Sequence, residues 1–478
     1  MAAYANLGKF YINGEWVAPS SGASLLDVID PATEESVARV ALGTREDAEK
    51  AILAARAAFP AFSAWSAAER LKLLGRIRDL YEARLDEIAE AITTEMGAPV
   101  EMSRSSQAWS GLGHIEATMK ALEAFVFEET RGTTLIVHEA IGVAGLITPW
   151  NWPMNQIASK VAPAIAAGCT MVLKPSEIAP LSGIVFAEIM HEAGVPKGVF
   201  NLVNGDGPGV GQVLSSHPEI DVVSFTGSTR AGVLVAKSAA DTVKRVAQEL
   251  GGKSPNIILS DADLDAAVTS GVQGCFGNSG QSCDAPTRML VPRDRHDEAL
   301  EIAKRAAEAM VTGDPRHPAT NLGPVISQVQ YDKIQGLIAS GIQDGAILVT
   351  GGRDRPEGLS RGYYVRPTVF GGVTPEMRIA REEIFGPVLA IMPYDTEEDA
   401  VRIGNDTVYG LAAYVQSGEI EHARAIARRM RAGQVHINYP DWDLFAPFGG
   451  YKQSGNGREY ADWGMRDYLE TKALIGHG

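Results

Sequence analysis

The chain opens on two short apolar runs, Phe10-Tyr11-Ile12 and Trp16-Val17, separated by Asn13-Gly14. Asn-Gly between apolar residues predicts a β-hairpin, because both turn positions need positive φ. Short strands and turns are expected over 7–40. From 45 to 96 the period changes. Leu71, Leu74, Ile77, Leu85, Ile88 and Ile92 recur at helical spacing and predict a packed helical face. From about 133 to 260 apolar runs alternate with helical stretches. Ile141–Ile147, Thr170–Lys174, Gly198–Val203 and Asp221–Thr226 read as strands. Helices are expected after Pro153, which suits a first helical position, over 180–193, after Pro208 and after Ser228. This alternation implies βαβ units and a parallel sheet, so the fold class is α/β. Ligands in such sheets bind beyond the carboxyl ends of the strands. Lys174, Thr226 and Asn151 stand there. Farther on, 262–345 carries three helical stretches, 363–395 is strand-like and 396–431 is helical. No tandem repeat or low-complexity segment interrupts the chain.

At 478 residues the chain exceeds one simple core, so two or three domains are expected. The net charge of −16 disfavours nucleic acid and anionic membranes as partners. The three cysteines, Cys169, Cys275 and Cys283, are too few and too odd in number for a disulfide framework. Cys169 and Cys275 sit in apolar surroundings and read as structural. No Cys/His cluster suggests a metal site. Met1 to Trp16 lacks the pattern of a secretory signal, and no apolar stretch is long enough to span a membrane. A cytoplasmic location is the default expectation.

Chemistry concentrates in short polar segments. Gly280-Gln281-Ser282-Cys283 places a thiol in a small, glycine-bordered stretch. Glu249-Leu250-Gly251-Gly252-Lys253 offers a carboxylate, and Thr148-Pro149-Trp150-Asn151-Trp152-Pro153 an amide. A nucleophile, a base and an oxyanion donor are the parts of covalent acyl chemistry. Phe225-Thr226-Gly227-Ser228 ends a strand and begins a helix, whose free N–H groups suit a pyrophosphate. Lys174-Pro175-Ser176-Glu177 follows another strand and suits ribose hydroxyls. Gly205–Gly211 is glycine-rich but does not hold a clean GxGxxG spacing; a plain turn and a phosphate loop are equally compatible with it. Each motif alone reads as a surface loop. Their order within one βαβ region favours a nucleotide site.

Together with Arg381–Val388 and Pro447–Glu459, these segments resemble the aldehyde dehydrogenase superfamily, specifically its NAD(P)-dependent, non-acylating members. The matching segments are the Pro-Trp-Asn turn, Lys-Pro-Ser-Glu, Phe-Thr-Gly-Ser, Glu-Leu-Gly-Gly-Lys, Gly-Gln-Ser-Cys, Glu-Ile-Phe-Gly-Pro and Pro-Phe-Gly-Gly-Tyr-Lys-Gln-Ser-Gly. They run in this order across nearly the whole chain. The resemblance implies a Rossmann-type parallel-sheet cofactor domain (1–120 and 140–252) and an α/β catalytic domain (253–447). It also implies a small β oligomerisation arm (121–139 and 466–478) and a segment returning to the active site (448–465). A homo-oligomer, dimer or tetramer, is expected. The terminal stretch Tyr468–Ile475 reads as a strand with no partner in its own chain, for which a neighbouring subunit would supply one.

The resemblance further implies oxidation of an aldehyde to a carboxylic acid with reduction of NAD. Cys283 is the implied nucleophile. Asn151 and the Cys283 N–H are the oxyanion donors, and Glu249 is the base that activates water against the thioester. Lys160 matches a lysine that assists proton movement, and equally fits a solvated helix lysine. For the cofactor, Lys174 and Glu177 hold the adenosine ribose. Glu177 faces the 2′-hydroxyl and disfavours NADP. Ser228 meets the pyrophosphate, Glu383 the nicotinamide ribose, and Phe385 the nicotinamide end. Thr148, Trp150, Ser176, Gly207, Phe225, Gly227 and Leu250 complete the cofactor set. Trp152, Gln156, Asp284, Trp442 and Phe448 are expected around an apolar or aromatic aldehyde. Ser159, small where the family often has a large aromatic, is expected to widen the entrance. Asp284 either disfavours anionic substrates or turns away to a structural partner. The alternative activity is that of a CoA-acylating semialdehyde dehydrogenase, in which CoA resolves the thioester. The Glu249 position argues against it.

Overall fold

The computed structural model describes residues 4–478; the reading of the N-terminus also covers 1–3, which lie outside the described residues. Asn13 and Gly14 take φ values of 53° and 79°, and the hairpin they close pairs Phe10–Ile12 with Glu15–Val17. The helical stretch from 45 to 96 divides into three helices, Arg45–Ser63, Ala67–Ala83 and Leu85–Met96. Thr44 with Asp47 and Ser66 with Glu69 form capping boxes that fix the first two starts. Gly97, left-handed at φ 75°, stops the third. Leu74, Ile77, Ile88 and Ile92 are buried in the first core, and Leu71 and Leu85 pack on its margin.

The first sheet runs in the order Gly455–Asn456, Arg245–Glu249, Val222–Thr226, Val143–Ile147, Thr170–Lys174, Phe200–Leu202, Phe10–Ile12, Glu15–Val17. Its five central strands are parallel. The helix Pro153–Ala167 begins on Pro153 and is buried along its whole length. A second sheet of seven strands draws only on residues between Pro255–Ile258 and Gln434–Ile437, apart from its edge strand Ile347–Thr350 all parallel. Separate apolar cores lie under the two sheets.

Three expectations need correction. The stretch 396–431 is not helical throughout: Ala412–Gln416 is a fully buried strand between the helices Glu397–Asn405 and Ile420–Ala427. A short strand buried at every position, with four apolar residues in a row before Gln416, shows no period of two and merges with the helical pattern around it. The strand-like stretch 363–395 contains two strands, Thr368–Gly371 and Val388–Tyr394, with a helical turn, Arg378–Arg381, between them. The C-terminal strand is not without a partner. Leu469–Ile475 pairs antiparallel with Thr134–Ala140 of the same chain, from Leu469↔Ala140 to Ile475↔Thr134, and Glu128–Arg131 completes that sheet. The partner is hundreds of residues away in sequence and leaves no local trace. Among the described residues the strand is nevertheless at the edge of its sheet, with no second strand beside it. The residues 121–124 belong to the preceding helix, Trp109–Ala124. Among the described residues no helix is long and apolar enough to cross a membrane.

Candidate active site

Four neighbouring parallel strands end in one row. Glu249 and Thr226 are register partners, as are Phe225 and Ile147, and Ile147 and Lys174. The strand order grows outward in both directions from Val143–Ile147, which opens a crevice beyond its end and that of Val222–Thr226. Thr148 Oγ1 and Thr226 Oγ1 lie buried there without hydrogen-bond partners. Ser228 Oγ accepts from Ala231 N and starts the helix Thr229–Ala239. Lys174 Nζ donates to Gly205 O at 2.6 Å, Pro175 O at 3.0 Å and Glu177 Oε2 at 3.1 Å. Ser176 is buried between them. Gly207 is exposed, at the start of a turn that Asp206 caps through Gly209 N. Leu250 packs over Gly232, on the helix that Ser228 caps. Unpaired hydroxyls, a helix N-terminus and a lysine–glutamate pair on one strand edge fit a dinucleotide.

The thiol sits beside this row. Asn278, Ser279 and Gly280 have φ values of 54°, 55° and 73°, three successive left-handed residues before Cys283. Gly280 is pressed against Gly386 and Pro387: a Cβ there would lie 2.1 Å from the Gly386 carbonyl. Side-chain amides lock the turn. Gln107 Nε2 donates to Asn151 O and Asn278 Oδ1, and Asn278 Nδ2 to Asn151 O. Asn151 Nδ2 donates to Gln281 O at 3.0 Å, which leaves its second N–H uncommitted. Trp152 Nε1 donates to Ser282 Oγ at 2.8 Å. On the other side, a Cβ at Gly252 would lie 2.3 Å from Cys283 O, and Gly252 N donates to Glu383 Oε1 at 2.9 Å. Phe385, at φ 62°, meets Trp150 edge to face with centroids 5.4 Å apart. Gln330 Nε2 holds that bend by donating to Phe385 O at 2.7 Å. Burial pushes the Cys283 thiol well above its usual range, and the carboxylates of Asp284, Glu383 and Glu249 add to this.

Glu249 is buried, and neither carboxylate oxygen has a hydrogen-bond partner. Burial raises its pKa well above the carboxylate range and Glu459 raises it further, against the pull of Lys160 and Arg458. A carboxylate held this way is a stronger base than one in water. Gly449 lets the loop after Pro447 close on it, since a Cβ there would sit 2.7 Å from Glu249 Oε1. Lys160 is fully buried, which overturns the reading of a solvated helix lysine. Its ammonium pairs with Glu459, whose other oxygen accepts from Ser159 Oγ at 3.2 Å.

A cavity of about 610 Å³ opens over Cys283. Trp152, Gln156, Asp284, Trp442 and Phe448 line it, as do Asn155, Tyr414, His436, Tyr439 and Tyr460. Asp284 thus belongs to the cavity wall, with His436 close enough to act on its carboxyl. Ser159 is not in the lining and does not widen the entrance; its hydroxyl is spent on Glu459. Trp442 closes the outer wall, 6.2 Å from Trp152 and 6.0 Å from His114. Burial lowers the His114 pKa to about 3, so that ring stays neutral.

The sequence profile of the aldehyde dehydrogenase family matches residues 16–474. The chain belongs to the aldehyde dehydrogenase family. A curated relative from a Pseudomonas species, named 3-succinoylsemialdehyde-pyridine dehydrogenase, is 56% identical over 98% of both chains. Aldehyde dehydrogenase C of Pseudomonas syringae, solved as a cysteine-to-alanine variant with NAD+ and octanal, superposes with a TM-score of 0.98 at 54% identity, covering 99% of this chain and 97% of that one. Betaine aldehyde dehydrogenase of Staphylococcus aureus, solved with NAD+, gives 0.95 at 38% identity over 98% and 97%. Family and relatives together support NAD-dependent oxidation of an aldehyde, and the CoA-acylating alternative is not favoured.

Several residues of this aldehyde dehydrogenase escaped sequence reasoning. Glu459 stands in a motif already singled out, but nothing local ties it to Glu249 or Lys160. It arrives because Phe448 and Glu459 form a bridge that returns the chain to the site. Gln107 and Asn278 are a helical glutamine and a turn asparagine with no pattern around them. His436 lies in the short strand Gln434–Ile437, where alternation alone reads it as a face residue. Only the two registers that carry Tyr414 beside it, Asn256↔Tyr414 and Tyr414↔His436, bring it to the cavity.

Proposed function

We propose that Cys283 attacks the aldehyde carbonyl, that Asn151 and the Cys283 backbone N–H stabilise the oxyanion, and that Glu249 activates the water that hydrolyses the thioester. The observation that carries this reading is the convergence of three loops. Gly252 touches Cys283 O and holds Glu383 through its N–H, while Asn151 is tied to the Cys283 turn through Gln281. The free N–H of Asn151 suits an oxyanion, and one such donor is worth ~10²-fold or more in rate. NAD bound in the crevice would supply the acceptor for the hydride that leaves the thiohemiacetal carbon. Lys174, Ser176 and Glu177 would hold its adenosine ribose. Thr148, Trp150, Gly207, Phe225, Gly227, Ser228 and Leu250 would flank the pyrophosphate crevice, and Glu383 and Phe385 the nicotinamide end. NADP is disfavoured by the Glu177 carboxylate. Lys160 and Glu459 stand behind Glu249 and suit the removal of its proton.

The aldehyde would enter past Trp442 and lie against Trp152, Gln156, Asp284 and Phe448. The octanal and pyridine substrates in the relatives' names agree with an apolar or aromatic chain in this cavity. The eight-stranded sheet serves as the cofactor domain and the seven-stranded sheet as the catalytic one. The three-stranded sheet, with the open edge of Leu469–Ile475, serves as the arm of a cytoplasmic homo-oligomer. Light scattering at micromolar concentration should give a dimer or tetramer, and a monomeric mass would remove that part. For the chemistry, NADH absorbance with a panel of apolar and aromatic aldehydes should show turnover. Cys283→Ala should abolish it while NAD still binds. Substantial oxidation by purified Cys283→Ala would take Cys283 out of the mechanism.

A further inference from the structure

The cavity over Cys283 has a one-sided charge. Three of its lining residues are aspartates, Asp284, Asp441 and Asp443, and none is a lysine or arginine. Asp441 and Asp443 are exposed at the mouth, whereas Asp284 stands inside, directly after the nucleophile. Burial raises the Asp284 pKa, against the pull of His436 and its own backbone N–H. Among the described residues no lysine or arginine lines the cavity beside it. His436 Nε2 and Tyr439 OH are also buried without hydrogen-bond partners. The His436 ring is fixed by stacking on Tyr414, centroids 4.7 Å apart and 15° from parallel. Burial lowers the His436 pKa, so the ring does not serve as the missing cation, although Asp284 opposes that shift. Lys120 lies over the Phe445 ring, 6.0 Å from its centroid, and neither residue is part of the lining. Aromatic side chains contribute much of the remaining wall: Trp152, Tyr414, Trp442, Phe448 and Tyr460.

We propose that this lining selects aldehydes by charge: the enzyme prefers those carrying a positive charge or basic nitrogen remote from the carbonyl, and rejects those carrying a carboxylate. The proposal rests on the reading of this cavity as the aldehyde site. A carboxylate carried into the cavity meets like charge with nothing to pair it. A cation meets Asp284 within and the aspartates at the mouth, and its approach to the aromatic faces is itself attractive. For charges about 6 Å apart at an effective dielectric near 20, each interaction is worth up to about 100-fold in affinity. The exposed mouth aspartates contribute less because salt screens them.

The test uses three aldehydes whose saturated chains insulate the carbonyl from the remote group. They are 4-(trimethylammonio)butanal, its uncharged carbon isostere 5,5-dimethylhexanal, and the carboxylate-bearing 5-oxopentanoate. The quaternary ammonium carries its charge at every pH. With NAD in excess, kcat/KM should fall in the order cation, isostere, anion, by about tenfold or more at each step at low ionic strength. Added salt should narrow the spread. Asp284→Asn should reduce the cation-to-isostere ratio about tenfold, and Asp284→Glu should restore it. Because Asp284 adjoins the nucleophile, the double variant Asp441→Asn with Asp443→Asn provides a second arm, and its ratio should fall with a weaker salt dependence. Equal use of anion and isostere, or ratios unmoved in both arms, would overturn charge selection while leaving aldehyde oxidation standing. No NADH from any of the three, nor from octanal, would overturn the underlying reading and this proposal with it.

Discussion

Gly280→Ala isolates the geometry of the nucleophile turn from its chemistry. Gly280 has φ 73°, and a Cβ added to it would lie 2.1 Å from both C and O of Gly386 and 2.6 Å from Pro387 N. The left-handed conformation costs an alanine about 1–2 kcal/mol. Forcing a methyl into packed backbone costs a further 1–3 kcal/mol or so. The sum, about 2–5 kcal/mol, is below the ~5–15 kcal/mol that holds a typical fold. The chain should therefore fold and relieve the clash locally, by moving the Cys283 turn away from Gly386. A displacement near 1 Å at a reacting atom costs about 10²-fold in rate. Gly277 is the matched control: three residues earlier, at φ −48°, with nothing within 4 Å of an added Cβ. Steady-state NADH formation and thermal unfolding on both variants form the assay. Gly277→Ala should match the parent, and Gly280→Ala should lose about 10²-fold in kcat while still unfolding cooperatively. A Gly280→Ala enzyme with kcat near the parent's would refute the claim that the contact with Gly386 sets the position of the nucleophile.

Glu249→Gln should keep a single-turnover burst of NADH while steady turnover falls by about 10²–10⁴-fold, since only hydrolysis needs the base; unchanged steady turnover in stopped-flow would sink that role. Glu177→Gln should narrow the NAD-to-NADP preference by about tenfold, because a carboxylate no longer opposes the 2′-phosphate, and an unchanged ratio of kcat/KM values would count against the ribose assignment. Glu95 offers a pH test of stability. Burial raises its pKa to about 7 although Ser182 Oγ and the N–H groups of Leu181 and Ser182 bond to it. The folded state thus binds the Glu95 proton more tightly than the unfolded state does, and stability falls as pH rises from about 4.5 to about 7, by on the order of 3 kcal/mol. The melting temperature of Glu95→Gln minus that of the parent should become more positive between pH 5 and pH 8, and a constant difference would show that Glu95 does not titrate in this range.

What was legible in the sequence is what is local. The Asn13-Gly14 turn, the helix start at Pro153 and the strand ends at Lys174 and Thr226 each follow from a few adjacent residues, and the structure has them in place. The strand Ala412–Gln416 was not legible, because a strand covered on both faces loses the alternation that distinguishes it from a helix. The pairing of Leu469–Ile475 with Thr134–Ala140 was hidden for a different reason, since register between distant strands is set by tertiary packing. The site divides along the same line. Cys283, Glu249 and Asn151 sit in motifs where glycines or turn residues flag a constrained backbone. Their supports, Gln107, Asn278, Gln330 and Glu459, are ordinary polar residues whose significance lies wholly in what they touch.

That division bears on where substrate choice resides. The groups proposed to react are held by backbone: Gly252 against Cys283 O, Gly280 against Gly386 and Gly449 against Glu249 leave no room for side-chain variation. Asp441 and Asp443, by contrast, stand on an exposed segment between the strand Gln434–Ile437 and the buried Phe448, where a change of residue disturbs little packing. Asp284 joins the two regions, since its neighbour Cys283 is fixed by the turn while its own carboxyl faces the open cavity. A substitution in the glycine contacts should therefore lower turnover of every aldehyde alike. A substitution at Asp284, Asp441 or Asp443 should reorder the aldehydes, and the fold and the cofactor row at the ends of the first sheet's strands should be left as they are.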